Sequence, residues 1–276
     1  MIIDAHQHFW QYDPERHGWI NDNMSVLKKD FMPVHLQEVF EANNVNGCVA
    51  VQADQSEAET EFLLDLADKN PFVKAVVGWV DLRSEQIEER LTYFKGFSKL
   101  AGFRHVVQSE PDNNFMLRED FKRGIGSLLK YGFTYDILIF PTQMEAARQI
   151  TEIFPDQKFV VDHIAKPYIK KGLLEPWGSA MRSIAQNENV SCKISGMVTE
   201  ADWQNWQYDD FVPYMDVVME AFGPDRLMFG SDWPVCLLAG DYSRIKGIVE
   251  KYIEKLSESE KQKIMGDTAI KFYGIK

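Results

Sequence analysis

The sequence predicts an α/β fold, a single (β/α)₈ barrel of the TIM type. Three observations carry the prediction: eight short apolar runs, their alternation with amphipathic stretches at intervals of roughly 25 to 35 residues, and a length of 276 residues. Strands are expected at residues 2–5, 47–52, 73–80, 102–107, 134–139, 158–161, 190–194 and 227–229. Their continuous Val, Ile, Leu and Phe content suits strands covered on both faces. Helices fit between them. Residues 57–70 place Phe62, Leu63, Leu66 and Ala67 on one side, and residues 143–154 do the same with Ala146, Ala147, Ile150 and Ile153. The stretches 211–222 and 242–256 also show apolar faces, but those are needed to cover the barrel and leave the oligomeric state open. Pro141, Pro155 and Pro224 fall between elements, where proline ends or starts a segment without breaking one. An open doubly wound sheet shares the alternation, yet no glycine-rich phosphate loop follows the first strand. One domain is expected over residues 1–276. The longest irregular stretch is the loop 9–32, with Trp10, Tyr12 and Trp19. It suits a cover over the active site, or rings that seal the barrel end.

Composition narrows the function classes. Forty-two acidic residues against thirty basic ones give a net charge of −12, without the clustered Lys and Arg that would neutralise phosphates, so no nucleic-acid partner is expected. No segment approaches the ~20 apolar residues that span a bilayer, and the chain opens directly into Ile2-Ile3-Asp4. No membrane partner is expected, and the location is read as cytoplasmic. Cys48, Cys192 and Cys236 lack any CxxC spacing and suit buried thiols rather than a disulfide framework.

The chemistry-bearing residues fall at strand ends. The first strand closes in Asp4-Ala5-His6-Gln7-His8, and two histidines one residue apart project to the same side of an extended chain. Near the other terminus, Leu227-Met228-Phe229-Gly230-Ser231-Asp232 presents a carboxylate where an apolar strand stops. Barrel closure sets the eighth strand beside the first, so Asp232 is expected to meet His6 and His8, as a general base and a metal ligand rather than a structural ion pair. The sixth strand repeats the pattern with Asp162-His163. Asp162 is read as a cap of the following turn. His17 and His35 are read as ordinary surface residues.

These residues, with Val51-Gln52-Ala53, Gly78-Trp79-Val80-Asp81-Leu82, Gly102-Phe103-Arg104-His105, Lys166-Pro167, Lys193-Ile194-Ser195-Gly196 and Gly230-Ser231-Asp232-Trp233-Pro234, resemble the sugar-lactonase branch of the amidohydrolase superfamily along essentially the whole chain. The nearest likeness is to the L-fuconolactonases. The resemblance implies a barrel of the metal-dependent-hydrolase type that opens a small-molecule sugar lactone in carbohydrate catabolism. It carries over Asp232, His163, His6, His8 and Arg104 as the reaction centre, and sets His105 beside Arg104 where the lactone is held. The fifth strand, Tyr135-Asp136-Ile137, lacks the histidine of superfamily members with a firmly held metal, so a binuclear site is not expected. Either a single divalent ion, zinc by preference, binds through His6, His8 and Asp232 with His163 nearby, or no cofactor is required.

In both versions Asp232 takes a proton from water and returns it to the leaving ring oxygen, while the oxyanion is stabilised by the metal or by the His cluster with Arg104. Trp10, Gln52, Trp79, His105, Gln108 and Lys193 are the expected substrate contacts, with Asp54 beside them. In a regular pleat His105 faces away from Arg104, which suits it to orienting rather than binding. A lysine inside a strand such as Lys193 is more often paired with a carboxylate than functional. The alternatives to a lactonase are a metal-dependent decarboxylase of a small unsaturated acid and a non-catalytic sugar-acid binding barrel.

Overall fold

Each apolar run forms a strand, because in a parallel sheet covered by helices both faces of a strand leave water. The computed structural model describes residues 1–276. Its strands are β1 (Ile3–Gln7), β2 (Gly47–Val51), β3 (Val73–Gly78), β4 (Leu100–His105), β5 (Thr134–Ile137), β6 (Phe159–Val161), β7 (Val190–Ile194) and β8 (Leu227–Phe229). They pair in parallel in chain order. The barrel closes between its first and last strands, where His8 N–H donates to Trp233 O at 2.7 Å and Asp232 N–H donates to His6 O at 2.8 Å.

The helices that follow the strands are α1 (Pro33–Asn43), α2 (Glu57–Lys69), α3 (Ile87–Phe94), α4 (Glu119–Tyr131), α5 (Met144–Ile153), α6 (Trp177–Ile184), α7 (Val212–Phe222) and α8 (Tyr242–Tyr252). The chain then runs through α9 (Glu258–Gln262), a π turn at Lys263–Asp267 and α10 (Thr268–Tyr273). No helix is long and apolar enough to cross a membrane.

Strand ends depart from the sequence expectation for local reasons. β3 stops at Gly78 because Trp79 N–H turns to Thr60 Oγ1 at 2.7 Å, and a Cβ on Gly78 would meet Thr60 Cγ2 at 2.4 Å. β5 stops at Ile137 because the carbonyl of Leu138 accepts from Gln108 N–H. β1 instead runs two residues further than expected, to Gln7.

Two cores result from the alternation. Cys48 and Ala50 of β2 pack outward with the helices, while Val49 and Val51 join Ile3, Ala5, Ala75, Val77, Val160 and Met228 inside the barrel. Phe272 and Tyr273 of α10 plug this interior from below. Within β1 the alternation slips: the pairing register shifts between Asp4 and Gln7, and Gln7 bonds outward to Cys48 Sγ. Such a bulge re-aims the side chains beyond it, and here those are His6 and His8.

Below the barrel, the Arg226 guanidinium donates to the carbonyls of Ala185, Asn187, Val190 and Ala221 at 2.9 to 3.2 Å. It satisfies turn carbonyls at the feet of β7 and β8. Arg226→Met is expected to lower stability by about 2 kcal/mol through those unmet acceptors, read as an earlier urea midpoint at unchanged slope.

Candidate active site

At the C-terminal ends of the strands a cavity of about 480 Å³ opens, with His8, Arg104, His163 and Asp232 among its lining residues. His8 Nδ1 donates to Val51 O at 2.8 Å, which leaves its Nε2 lone pair facing inward. That nitrogen lies 3.3 Å from His6 Nε2 and 3.4 Å from Asp232 Oδ1. Acceptor thus faces acceptor unless a cation, a proton or a metal ion, sits between them.

Asp232 itself is fixed by the β1–β8 seam. Its backbone has φ 60°, its N–H is held by His6 O, and the preceding Ser231 N–H donates to Asp4 Oδ1 at 2.9 Å. Asp4 also accepts from His6 N–H and from the Tyr242 hydroxyl. One buried carboxylate therefore orients both halves of the cluster. Burial opposes ionisation of Asp232, but the neighbouring His163 and His8 rings outweigh it and hold its carboxyl below the usual range.

Asp162 does not cap the turn after β6. It is fully buried, with Oδ2 3.0 Å from Arg104 Nη1 and Oδ1 2.9 Å from Lys193 Nζ and 3.3 Å from His6 Nδ1. Burial works against its charge, yet Lys193, His6 and Arg104 together hold it well below the ordinary carboxylate value. Lys193 also contacts Asp136 Oδ2 at 2.6 Å, and Tyr273 donates its hydroxyl to the same oxygen at 2.8 Å. His6 is flanked by Lys193 Nζ at Nδ1 and by Arg104 Nη1 at Nε2, each at 3.2 Å. Burial, with Lys193 and His8 added against the pull of Asp162, drives its pKa well below the usual histidine value. The ring is neutral.

His163 sits on an unusual turn. Residues His163, Ile164, Ala165 and Lys166 all have left-handed φ, between 46° and 56°, a conformation that costs roughly 1–2 kcal/mol per non-glycine residue. Trp177 Nε1 donates to Ile164 O at 2.8 Å and Lys166 N–H to His163 O at 2.8 Å. Opposite, Gly196 has φ 60° and leaves room for the imidazole: a Cβ there would meet His163 Nδ1 at 2.4 Å. The ring nitrogen Nδ1 pairs with Ser195 Oγ at 2.9 Å, and Nε2 lies 3.8 Å from Asp232 Oδ1.

The structure distributes the expected substrate contacts unevenly. Gln108 and Asp54 line the cavity, and Gln108 Oε1 has no partner. Lys193 is fully buried among carboxylates and does not line the cavity. Gln52 is buried and exchanges hydrogen bonds with Arg104, its Nε2 donating to the Arg104 carbonyl while its own carbonyl accepts from Nη2. His105 faces outward, stacked on Phe115 at 4.9 Å and bonded to Glu110 at 2.7 Å, and Trp79 donates to it. Trp10 is buried against Phe31, its indole N–H on Lys29 O. Arg16, Trp19 and Met24, from the same 9–32 segment, do reach the cavity.

His17 is a correction. It is 2% exposed, packed between Trp10 and Tyr12, because the 13–19 turn folds back over them. His35 is exposed and accepts Met32 N–H at 3.0 Å, capping α1. Sequence reasoning missed Lys166, Glu200 and Trp203 in the cavity wall. The signals for Lys166 were its position three residues after His163 and its place in the Lys166-Pro167 motif.

His6, His8 and Asp232 have the spacing of a metal's ligand shell. In tetrahedral geometry, bonds of about 2.0–2.1 Å set neighbouring ligand atoms about 3.3 Å apart. The His6–His8, His8–Asp232 and His6–Asp232 separations are 3.3, 3.4 and 4.0 Å. A His6 tautomer with Nδ1–H on Asp162 turns the Nε2 lone pair toward this point, the carboxylate–histidine arrangement of metal sites. The other tautomer directs Nε2–H at His8 and suits a metal-free centre. A second grouping, His6, Asp162 and His163, shares His6 with the first, and its Asp162 is already engaged by Arg104 and Lys193. The residues fit one divalent ion.

The amidohydrolase family model matches residues 3–275. A protein of Burkholderia multivorans named L-fucono-1,5-lactonase is 39% identical over 286 residues, covering 100% of this chain and 96% of its own. A protein of the same name from Burkholderia ambifaria is 34% identical over 280 residues, covering 99% and 95%. The crystal structure of an amidohydrolase from Burkholderia multivorans with bound zinc superposes with a TM-score of 0.97 at 39% identity over 100% of both chains.

Two stability measurements test this electrostatic frame. Lys193→Met strands Asp136 and Asp162 in the barrel and is expected to cost about 3–5 kcal/mol, seen in urea unfolding. Glu59, in the first turn of α2, accepts Ala53 N–H beside the cavity lip, and burial pushes its carboxyl from 4.5 up to about 7. Between those pH values the folded chain keeps a proton that the unfolded chain releases, so stability declines as pH rises across the window. The rise corresponds to roughly 3 kcal/mol. Glu59→Gln removes the decline, and unfolding curves at pH 4 and pH 8 are expected to show the variant gaining on the parent only at the higher pH.

Proposed function

The chain belongs to the amidohydrolase family, and within it we propose that this protein hydrolyses a sugar lactone, L-fucono-1,5-lactone or a close stereoisomer, to the sugar acid. The observation that carries the reading is the Asp232 carboxylate, kept ionised on the cavity floor between His8 and His163, with Arg104 alongside. Full-length identity to two proteins named as lactonases supports it over the decarboxylase and binding-protein alternatives. Cytoplasmic sugar catabolism is part of the same reading.

A lactone is an activated ester, so hydrolysis needs a base for water, a donor for the oxyanion and a proton for the leaving oxygen. Asp232 accepts a proton from water as the water oxygen bonds to the lactone carbonyl carbon. The carbonyl oxygen, now an oxyanion, accepts from the Arg104 guanidinium and from His163 N–H. Donors already aimed at such a charge commonly contribute about 10²- to 10³-fold each. When the ring C–O bond breaks, Asp232 returns the proton to the departing oxygen and is a carboxylate again. His6 and His8 set the position of Asp232. A divalent ion held by His6, His8 and Asp232, zinc by its donor set and by the zinc-bound Burkholderia structure, supplies carbonyl polarisation and a more acidic water when bound.

Acid release from a panel of sugar lactones, with and without chelator, tests the reading. Hydrolysis of L-fucono-1,5-lactone is expected, and Asp232→Asn is expected to lower kcat by about 10³-fold or more. Activity that survives chelation leaves the residues acting without a metal, and activity lost with chelator and restored by zinc assigns the metal to the cluster. No acid from any lactone under either condition sinks the proposal.

A further inference from the structure

The left-handed turn that carries His163 repeats about every three residues, so His163 and Lys166 emerge on one side of it, and both line the cavity. Lys166 Nζ lies 3.6 Å from Glu200 Oε1, with the two side chains 17% and 21% exposed. That separation is longer than a good hydrogen bond, so ammonium donors and carboxylate acceptors remain free toward the cavity. Trp203 stands in the same wall, its indole fixed by Nε1–H on Thr199 O at 2.9 Å. The reaction described above uses none of these three residues.

We propose that Lys166 and Glu200, flanked by the Trp203 ring, bind two neighbouring ring hydroxyls of the substrate and set the preference for a polyhydroxylated lactone over a plain one. One hydroxyl accepts from Lys166 Nζ while its neighbour donates to the Glu200 carboxylate. A diol bridges such a pair without leaving a buried charge unmatched. The indole offers an apolar face to the C–H side of the ring. A lactone without hydroxyls would leave the ion pair partly desolvated and unpaid by any hydrogen bond, and polar sites of this kind discriminate most strongly against analogues that lack the polar group. The inference rests on the lactonase reading and deepens it by naming the residues that read the sugar.

The test compares kcat/KM for L-fucono-1,5-lactone with that for δ-valerolactone, a six-membered lactone without hydroxyls, in the parent, Lys166→Met, Glu200→Gln and Lys166→Arg. Thermal unfolding accompanies each variant. The ratio of the two kcat/KM values is expected to fall about 10- to 100-fold in Lys166→Met and Glu200→Gln, mainly through KM for the sugar lactone. Lys166→Arg, which keeps charge and donors, is expected to recover most of it. A ratio that stays constant, whether both activities drop together or neither changes, overturns the proposal and leaves the lactonase reading standing. A parent that opens plain lactones but no sugar lactone overturns it also. A parent that opens neither brings down the lactonase reading itself.

Discussion

The buried carboxylate of Asp162 is the interaction on which the rest of the site depends. It sits at zero exposure with Lys193 on one oxygen and Arg104 on the other, and His6 leans on it as well. Two cations and two carboxylates, Asp136 being the second, are enclosed in the barrel and balance in formal charge. A lone charge in such surroundings would be costly, and removing any one member strands its partners. The same balance keeps Arg104 extended toward the cavity and His6 neutral, which is the state that both a metal ligand and a hydrogen-bonding spacer require.

Beneath this charged layer the apolar floor formed by Ile3, Ala5, Val49, Val51 and their neighbours excludes water from below. The slip in β1 then matters: without it, strict alternation would send the residues after Ala5 to the opposite faces. His6 and His8 reach Asp232 because the bulge and barrel closure occur at the same seam, and Asp4 ties the two together.

Much of this was legible in the sequence. The eight apolar runs and their spacing foretold the barrel, and closure of a barrel foretold that residues 6, 8 and 232 would meet. Strand limits were off by one to two residues where a side chain, such as Thr60, or a neighbouring backbone group, such as Gln108 N–H, took over from the ladder. Asp162 was misread because an Asp after a strand normally caps a turn, and sequence carries no sign of the two cations waiting inside the barrel. The left-handed run from His163 to Lys166 contains no glycine to announce it, so Lys166 passed as a residue after a strand end. Glu200 and Trp203 belong to a loop without periodicity. His17 looked solvent-exposed because loop histidines usually are, and its burial depends on aromatic neighbours that only folding brings together. Gln52 and Trp79 sit at strand ends as expected, but their side chains turn toward Arg104's backbone and toward His105, which itself faces outward as its place next to Arg104 in the pleat foretold.

The hydroxyl of Tyr273 on Asp136 has a consequence for how the barrel assembles. Tyr273 lies on α10, the last helix of the barrel, while His6 lies on β1, its first strand. The chain of contacts from Tyr273 through Asp136 and Lys193 to His6 therefore runs from the underside of the barrel to the reaction centre. Removing the docked helix would take a hydrogen-bond donor from Asp136 and uncover the apolar floor that Phe272 and Tyr273 plug. Docking of a helix far from the cavity is thus part of setting the charge balance of the site, and eight paired strands alone do not complete it.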